Sequence, residues 1–265
     1  MSVSDQIVIE VHDAICTITL NRPEKRNALT PDMLRGLSEL LGELGLRTDV
    51  RCVVVTGAGD RAFSAGYDIS SIGEQGSEMM RDYVAGHPLV EAVRAIESYP
   101  YPVIAMINGH ALGGGLELAL ACDIRIAADN ARFGMPPAKL GIIYPYTGIR
   151  RFLNLIGLGL TKELFLVGDP IDARRAEAMG LVNTVTEPGR LKETVYAMAR
   201  TVASNAPLSM KTMKAMINLW QATQRLAPED EERIKELIRE VEGSEDYREG
   251  QRAFAEKRRP VFKGK

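Results

Sequence analysis

Glu117 stands in an unusual setting. In the run NGHALGGGLELALACD (residues 108–123), three consecutive glycines lead directly into an apolar helical pattern, and Glu117 is its one acid before Asp123. Its neighbours are Leu116, Leu118, Ala119 and Leu120. Burial among them raises a carboxyl pKa toward neutrality, where a general acid or base works best. The plainer reading is a first-turn glutamate that complements the helix dipole. The glycines carry their own chemistry. A helix start presents N–H groups without intrahelical partners and a partial positive charge, and glycine lets a ligand approach that backbone without a Cβ in the way. A second glycine turn, GAGDRAFSAGYD (residues 57–68), follows the strand-like CVVVTG. Two such turns facing each other form an oxyanion hole for an enolate made from a thioester carbonyl, each donor being worth about 3–4 kcal/mol in the transition state. Ordinary close packing at a tight turn is the alternative.

Other uses of the glycines fail on spacing. Gly57, Gly59 and Ala62 match G-x-G-x-x-A, but FSAGYDISSIGEQG follows instead of the apolar helix and acid-ended strand of a dinucleotide site. Gly113 and Gly115 would need a small residue at 118, where Leu118 stands, and neither turn reads as a P-loop. His12, His87 and His110 are scattered without metal-ligand spacing, so no metal is expected. His110, beside the glycine turn, reads as structural. No G-x-S-x-G elbow is present.

The elements that must position these residues follow from periodicity. IVIEV and AICTITL flank HDA as a hairpin. Thr30-Pro31 caps and starts a helix whose stripe is Leu34, Leu37, Leu41 and Leu44. CVVVTG and PVIAMING are buried strands, each running into a glycine turn, and the polar ISSIGEQGSEMMRDY between them leads to a helix ending near Ser98. IRIAA is a short strand, and a Pro-, Gly- and Tyr-rich segment, ARFGMPPAKLGIIYPYTG, follows. From Ile149 onward helical patterns dominate. Asp172 and Gly180 bracket one of them, and Trp220 sits on an amphipathic stretch, most simply in the core. The expected class is α/β, with a core over residues 1–200 and a helical region over 201–265.

Composition narrows the function classes. Thirty-three basic and 35 acidic residues give a net charge of −2, so no global field favours nucleic acid. Three dispersed cysteines, Cys16, Cys52 and Cys122, argue against a disulfide framework and suit a reducing cytoplasm. The first residues lack a signal-peptide pattern, and no apolar run reaches the ~20 residues that span a bilayer. The basic tail EKRRPVFKGK reads either as a solvated end or as a contact for a phosphorylated ligand.

FSAGYDI and NGHALGGGLELALACDI, with NRPEKRNAL upstream and AMGLVNTV downstream, resemble the crotonase (enoyl-CoA hydratase/isomerase) superfamily over nearly the whole chain. The resemblance implies a spiral of ββα units and a helical C-terminal part used in trimerisation, giving a homotrimer or a dimer of trimers. It implies acyl-CoA thioester substrates, with coenzyme A as part of the substrate and no separate cofactor. Carried over residue by residue, it gives the backbone N–H groups of Tyr67 and Gly114 as oxyanion donors and Glu117 as the first catalytic glutamate. It implies CoA and substrate contacts at Arg22, Lys25, Ala65, Asp68, Ile69, Phe254 and Lys257, the tail residues often serving a neighbouring subunit's ligand.

One departure bears on the reaction. The second glutamate of the hydratases falls at Pro137, and a pyrrolidine ring neither activates water nor delivers a proton. Seven residues on, Tyr144 in LGIIYPYTGI resembles the tyrosine of the superfamily's methylmalonyl-CoA decarboxylases, which also lack the second glutamate and retain the one matching Glu117. A malonyl-type thioester brings its own carboxylate, which a second glutamate would repel and a tyrosine hydroxyl would hold. A loop aromatic filling core space is the plain alternative for Tyr144, and Tyr146 competes for its role. The expectation is a lyase that decarboxylates a malonyl- or methylmalonyl-type CoA thioester. Alternatives are a hydratase using Glu117 alone, thioester or C–C bond hydrolysis, and a non-catalytic or RNA-binding homologue.

Overall fold

The computed structural model describes residues 5–68, 86–224 and 226–265. The HDA turn closes an antiparallel hairpin of β1 (Ile7–His12) and β2 (Ile15–Leu20), with Asp13 in the left-handed region at φ 53°. Helix α1 (Pro31–Gly45) begins as its residues dictate: the Thr30 hydroxyl accepts the Met33 N–H at 3.1 Å and Pro31 takes the first helical position. Its leucine stripe is buried against the next helix of the core.

Three strand pairs then repeat one pattern. β3 (Cys52–Gly57) turns into β4 (Ala62–Ser64), β5 (Val103–Ile107) into β6 (His110–Leu112), and β7 (Ile124–Ala128) into β8 (Arg132–Gly134). The first member of each pair joins one sheet and the second member another. β10 (Thr184–Thr186) completes a six-stranded sheet, β1-β2-β3-β5-β7-β10, parallel beyond the hairpin. β9 (Ile171–Asp172) closes a four-stranded sheet, β4-β6-β8-β9. Helices α2 (Pro88–Ser98), α3 (Gly114–Ala121) and α4 (Tyr146–Lys162) follow the second members in turn, a spiral of ββα units. β3, β5 and β7 are almost wholly buried, so they read as continuous apolar runs rather than alternating ones.

Helix α5 (Ala173–Ala178) is capped by Asp172, whose carboxylate accepts the Arg175 N–H at 2.8 Å, and it stops at Gly180 with φ 78°. α6 (Pro188–Ser204) packs on the large sheet. α7 (Pro207–Ala222) is tied to it by Lys214, whose ammonium donates to the Tyr101 carbonyl at 3.0 Å and the Asp123 carboxylate at 2.6 Å. The amphipathic pattern placed Trp220 in the core, but its side chain is exposed. It shares the outer side of α7 with Met213, Met216 and Ile217, because α7 turns Met210 and Lys214 inward instead. α8 (Pro228–Gly243) and α9 (Glu245–Ala255) follow. α9 folds back on the 3₁₀ turn Pro137–Leu140, so closely that Gly250 lies against the Leu140 carbonyl. The polar stretch before α2 lies outside the described residues, and so does Ile69. No helix among the described residues is long and apolar enough to cross a membrane.

Candidate active site

The two glycine turns meet. Leu29 donates its N–H to the Gly66 carbonyl and accepts the Asp68 N–H, each at 2.8 Å, so the intervening Tyr67 N–H is directed away from Leu29. On that side lies the start of α3. Gly114 is the first residue of α3, so its N–H has no intrahelical carbonyl to meet. A Cβ built on Gly114 would stand 3.6 Å from the Tyr67 nitrogen, which places the two turns in van der Waals contact. Gly66 makes the approach possible: its φ is 96°, and a Cβ there would press on the Leu112 carbonyl at 2.8 Å. Asp68 braces the turn through an ion pair with Arg22 at 2.9 Å.

In front of these amides is a cavity of about 530 Å³. Its wall is largely apolar and includes Leu89, Leu112, Met135, Ile142 and Ile143, together with Ala65, Tyr67, Asp68, Gly114, Pro137 and Tyr144. Lys25 and Phe254 line it as well, so α9 contributes to the cavity of its own chain. Arg22 is turned elsewhere, its guanidinium engaged by Asp68 and by the Ala28 carbonyl at 2.8 Å because a buried carboxylate needs a counter-charge. Lys257 and Tyr146 do not line the cavity. His87 does, and its Nδ1 accepts the Leu89 N–H at 3.2 Å, which leaves the ring proton on Nε2.

Glu117 stands behind this wall. It is 2% exposed and absent from the lining, and Tyr144 reaches the cavity in its place. The Tyr144 hydroxyl donates to Glu117 Oε2, and Arg151 donates to Glu117 Oε1 at 2.9 Å. Arg151, on α4, also pairs through Nε with Glu97 of α2 at 2.8 Å. Burial pushes the Glu117 carboxyl above its ordinary value, while Arg151 and then the Tyr144 hydrogen bond pull it back down and Glu97 adds to the rise. The Tyr144 ring is fixed by an edge-on contact with Phe165, centroids 5.6 Å apart, and lies on Gly148, where a Cβ would come within 2.5 Å of it. Among the described residues lining the cavity, the one carboxylate is Asp68, already paired with Arg22.

The structure therefore brings Tyr67, Gly114 with Glu117, and Tyr144 together from three stretches of sequence. Sequence reasoning missed Arg151 and Glu97. The available signal was an arginine three residues beyond Gly148, on the helix face that this buried glycine begins.

A sequence profile of the enoyl-CoA hydratase/isomerase family matches residues 10–265. The chain belongs to that family, the crotonase superfamily of acyl-CoA enzymes. It is 37% identical to a short-chain-enoyl-CoA hydratase of Clostridium acetobutylicum, covering 96% of each chain. Among solved structures, a methylmalonyl-CoA decarboxylase in complex with 2-nitronate-propionyl-CoA overlays with a TM-score of 0.93 at 32% identity, covering 98% of this chain and 99% of that one. An enoyl-CoA hydratase from Bacillus anthracis, 34% identical over 98% of this chain and 100% of that one, overlays with a TM-score of 0.75.

Proposed function

We propose that the protein decarboxylates a malonyl- or methylmalonyl-type CoA thioester. The observation that carries this reading is the cavity wall: Tyr144 occupies it, Pro137 stands where a second glutamate would be, and Glu117 sits behind the tyrosine. The higher TM-score to the decarboxylase than to a hydratase of similar identity supports it.

The steps use the residues at hand. The Tyr67 and Gly114 amides receive the thioester oxygen. The Tyr144 hydroxyl donates to the substrate carboxylate and holds it across the thioester plane. The C–C bond electrons move into the thioester as CO₂ departs, and the two amides stabilise the resulting enolate. Glu117 enters the cycle protonated. Tyr144 then gives its proton to the carbanion carbon and takes the one from Glu117, which is left as a carboxylate beside Arg151 and regains a proton from solvent through Tyr144 once the product leaves. The thioester brings the coenzyme A moiety, and no separate cofactor enters. Lys25 and Phe254 serve as contacts for that moiety, Lys257 joins them from the basic tail, and Ala65 and Asp68 shape the floor.

The test is a side-by-side assay of methylmalonyl-CoA and crotonyl-CoA, with products read by mass. Loss of CO₂ with slow hydration is expected, and crotonyl-CoA hydration at an ordinary hydratase rate with no CO₂ overturns the reading. That second outcome belongs to a single-glutamate hydratase, which the 37% identity to a hydratase and the buried Glu117 favour.

Self-association as a homotrimer or a dimer of trimers is part of the proposal. Exposed Leu208, Met213, Met216, Ile217, Leu219 and Trp220 on α7 support it, and light scattering tests it. A cytoplasmic setting is supported by three buried free cysteines.

A further inference from the structure

We propose that Arg151 is a positioning residue: by occupying Glu117 Oε1 it decides where, and how readily, Glu117 holds a proton, and so which way the Tyr144 hydroxyl points. The consequence for turnover rests on the decarboxylase reading, while the proton equilibrium itself does not.

The geometry assigns the two oxygens different partners. Oε1 faces the Arg151 guanidinium at 2.9 Å, and Oε2 receives the Tyr144 hydroxyl. A guanidinium donates and never accepts. A proton arriving on Glu117 is therefore confined to Oε2, where it meets the Tyr144 oxygen. Two arrangements follow. With Glu117 ionised, Tyr144 spends its one hydroxyl hydrogen on Glu117 and presents a lone pair to the cavity. With Glu117 protonated, Oε2–H donates to the Tyr144 oxygen, and the tyrosine hydrogen turns into the cavity. Only the second arrangement offers a donor to a substrate carboxylate and lines up a proton for the enolate.

The charges that face Glu117 are Arg151 from α4 and Glu97 from α2, with Tyr144 from the preceding loop. They act in opposite senses. Arg151 favours the ionised form. Glu97 favours the protonated form by its own charge, and it draws Arg151 through a pair at 2.8 Å. Arg151 side-chain exposure is 11% against 29% for Glu97, so the arginine is held inside and its outer partner reaches solvent. The triad thus sets the balance between the two hydroxyl orientations.

The experiment is an infrared pH titration of the resting enzyme. It follows the protonated-carboxyl band that Glu117→Gln removes. Arg151→Met is expected to raise the midpoint by about 1–3 pH units, the size of an opposite-charge effect at this range. Arg151→Lys restores most of the shift, and Glu97→Gln moves the midpoint down. A merely structural role predicts no such pair of opposite signs. An unmoved midpoint in Arg151→Met, or movement in the same direction in Glu97→Gln, overturns the inference. Should Arg151→Met fail to fold, Arg151→Gln, which keeps a donor at Glu117 Oε1 without the charge, supplies the upward shift to set against the downward one of Glu97→Gln. The alkaline limb of the decarboxylation profile is expected to move in the same order as the midpoints. Midpoints that move while the enzyme releases no CO₂ leave the inference standing and remove the decarboxylase reading.

Discussion

The site has two halves built on different principles. One is made of main chain: the Gly66-Tyr67 turn and the start of α3 hold two amides together by backbone packing, with the Gly66 Cβ position only 2.8 Å from the Leu112 carbonyl. The other is made of side chains: Glu97, Glu117 and Arg151 from three helices and Tyr144 from the loop before α4, held by charge and hydrogen bonds. The first half has no titrating group and serves any reaction that places negative charge on a thioester oxygen. The second half carries the protons, and it selects among such reactions. A family that shares the first half can therefore diversify through the second at little cost to the fold.

The largest effect is expected from breaking the main-chain half. Gly66→Ala adds a Cβ at φ 96° against backbone, so the turn must shift and the Tyr67 N–H with it. A fall of about 10²–10³-fold in kcat is expected for every CoA thioester the enzyme processes, the size of losing one oxyanion donor. Steady-state kinetics on both test substrates checks it. A loss confined to one substrate would show that the amides do not act as the common half.

Tyr144→Phe tests the other half and should discriminate. About a 10²-fold fall in decarboxylation is expected, with calorimetric affinity for a CoA thioester that lacks the carboxylate unchanged, because the ring and its Phe165 contact remain. An unchanged rate removes Tyr144 from the chemistry. Pro137→Glu is the milder converse. It puts a second carboxylate on the cavity wall, where like charge opposes a malonyl-type substrate. About a tenfold rise in KM for methylmalonyl-CoA is expected at neutral pH, with a measurable gain in crotonyl-CoA hydration. Initial rates on the two substrates read both.

The two halves also differ in how far the sequence revealed them. The main-chain half is local: glycines before an apolar helix and a glycine after a strand are visible in short windows, and so is a lone glutamate among leucines. Strand–turn–helix repeats follow from buried apolar runs ending in glycine turns, whereas the second, three-residue strand of each ββα unit was implied by the family resemblance alone. Arg151 and Glu97 were hidden because their partnership spans 54 residues, and only the fold brings α2 and α4 to the same carboxylate. Arg22 was legible as a cation, but its pairing with Asp68 is long-range, made where the Leu29–Tyr67 bridge brings the two segments together. Trp220 misled because α7 is amphipathic in pattern while its apolar side faces outward. β10, three residues long, is too short for alternation to announce it.

The smallest effect is expected where charge is exposed. The tail beyond α9 folds back along that helix. Glu249 accepts from Arg258 at 2.9 Å and from the Val261 N–H at 2.9 Å, while Asp246 accepts the Lys263 and Gly264 amides at 2.6 and 2.8 Å. This strap backs the Gly141 turn through Phe262 and steadies the helix that carries Phe254 to the cavity. Arg258 beside it, with the Val261 amide, holds the Glu249 carboxyl down at about 2, below its ordinary 4.5. A depressed folded-state value means that the contribution to stability is full above about 4.5 and is lost as pH falls toward about 2. Glu249→Gln is therefore expected to melt below the wild type at pH 6, with the gap closing as pH falls through that window and shrinking with added salt. Thermal melts of the two proteins across the window check it. A gap that persists undiminished at the acid end would mean that the strap is held by packing rather than by charge. The triad behind Tyr144, with its members largely withdrawn from solvent, should keep its pairing at salt concentrations that erase this one.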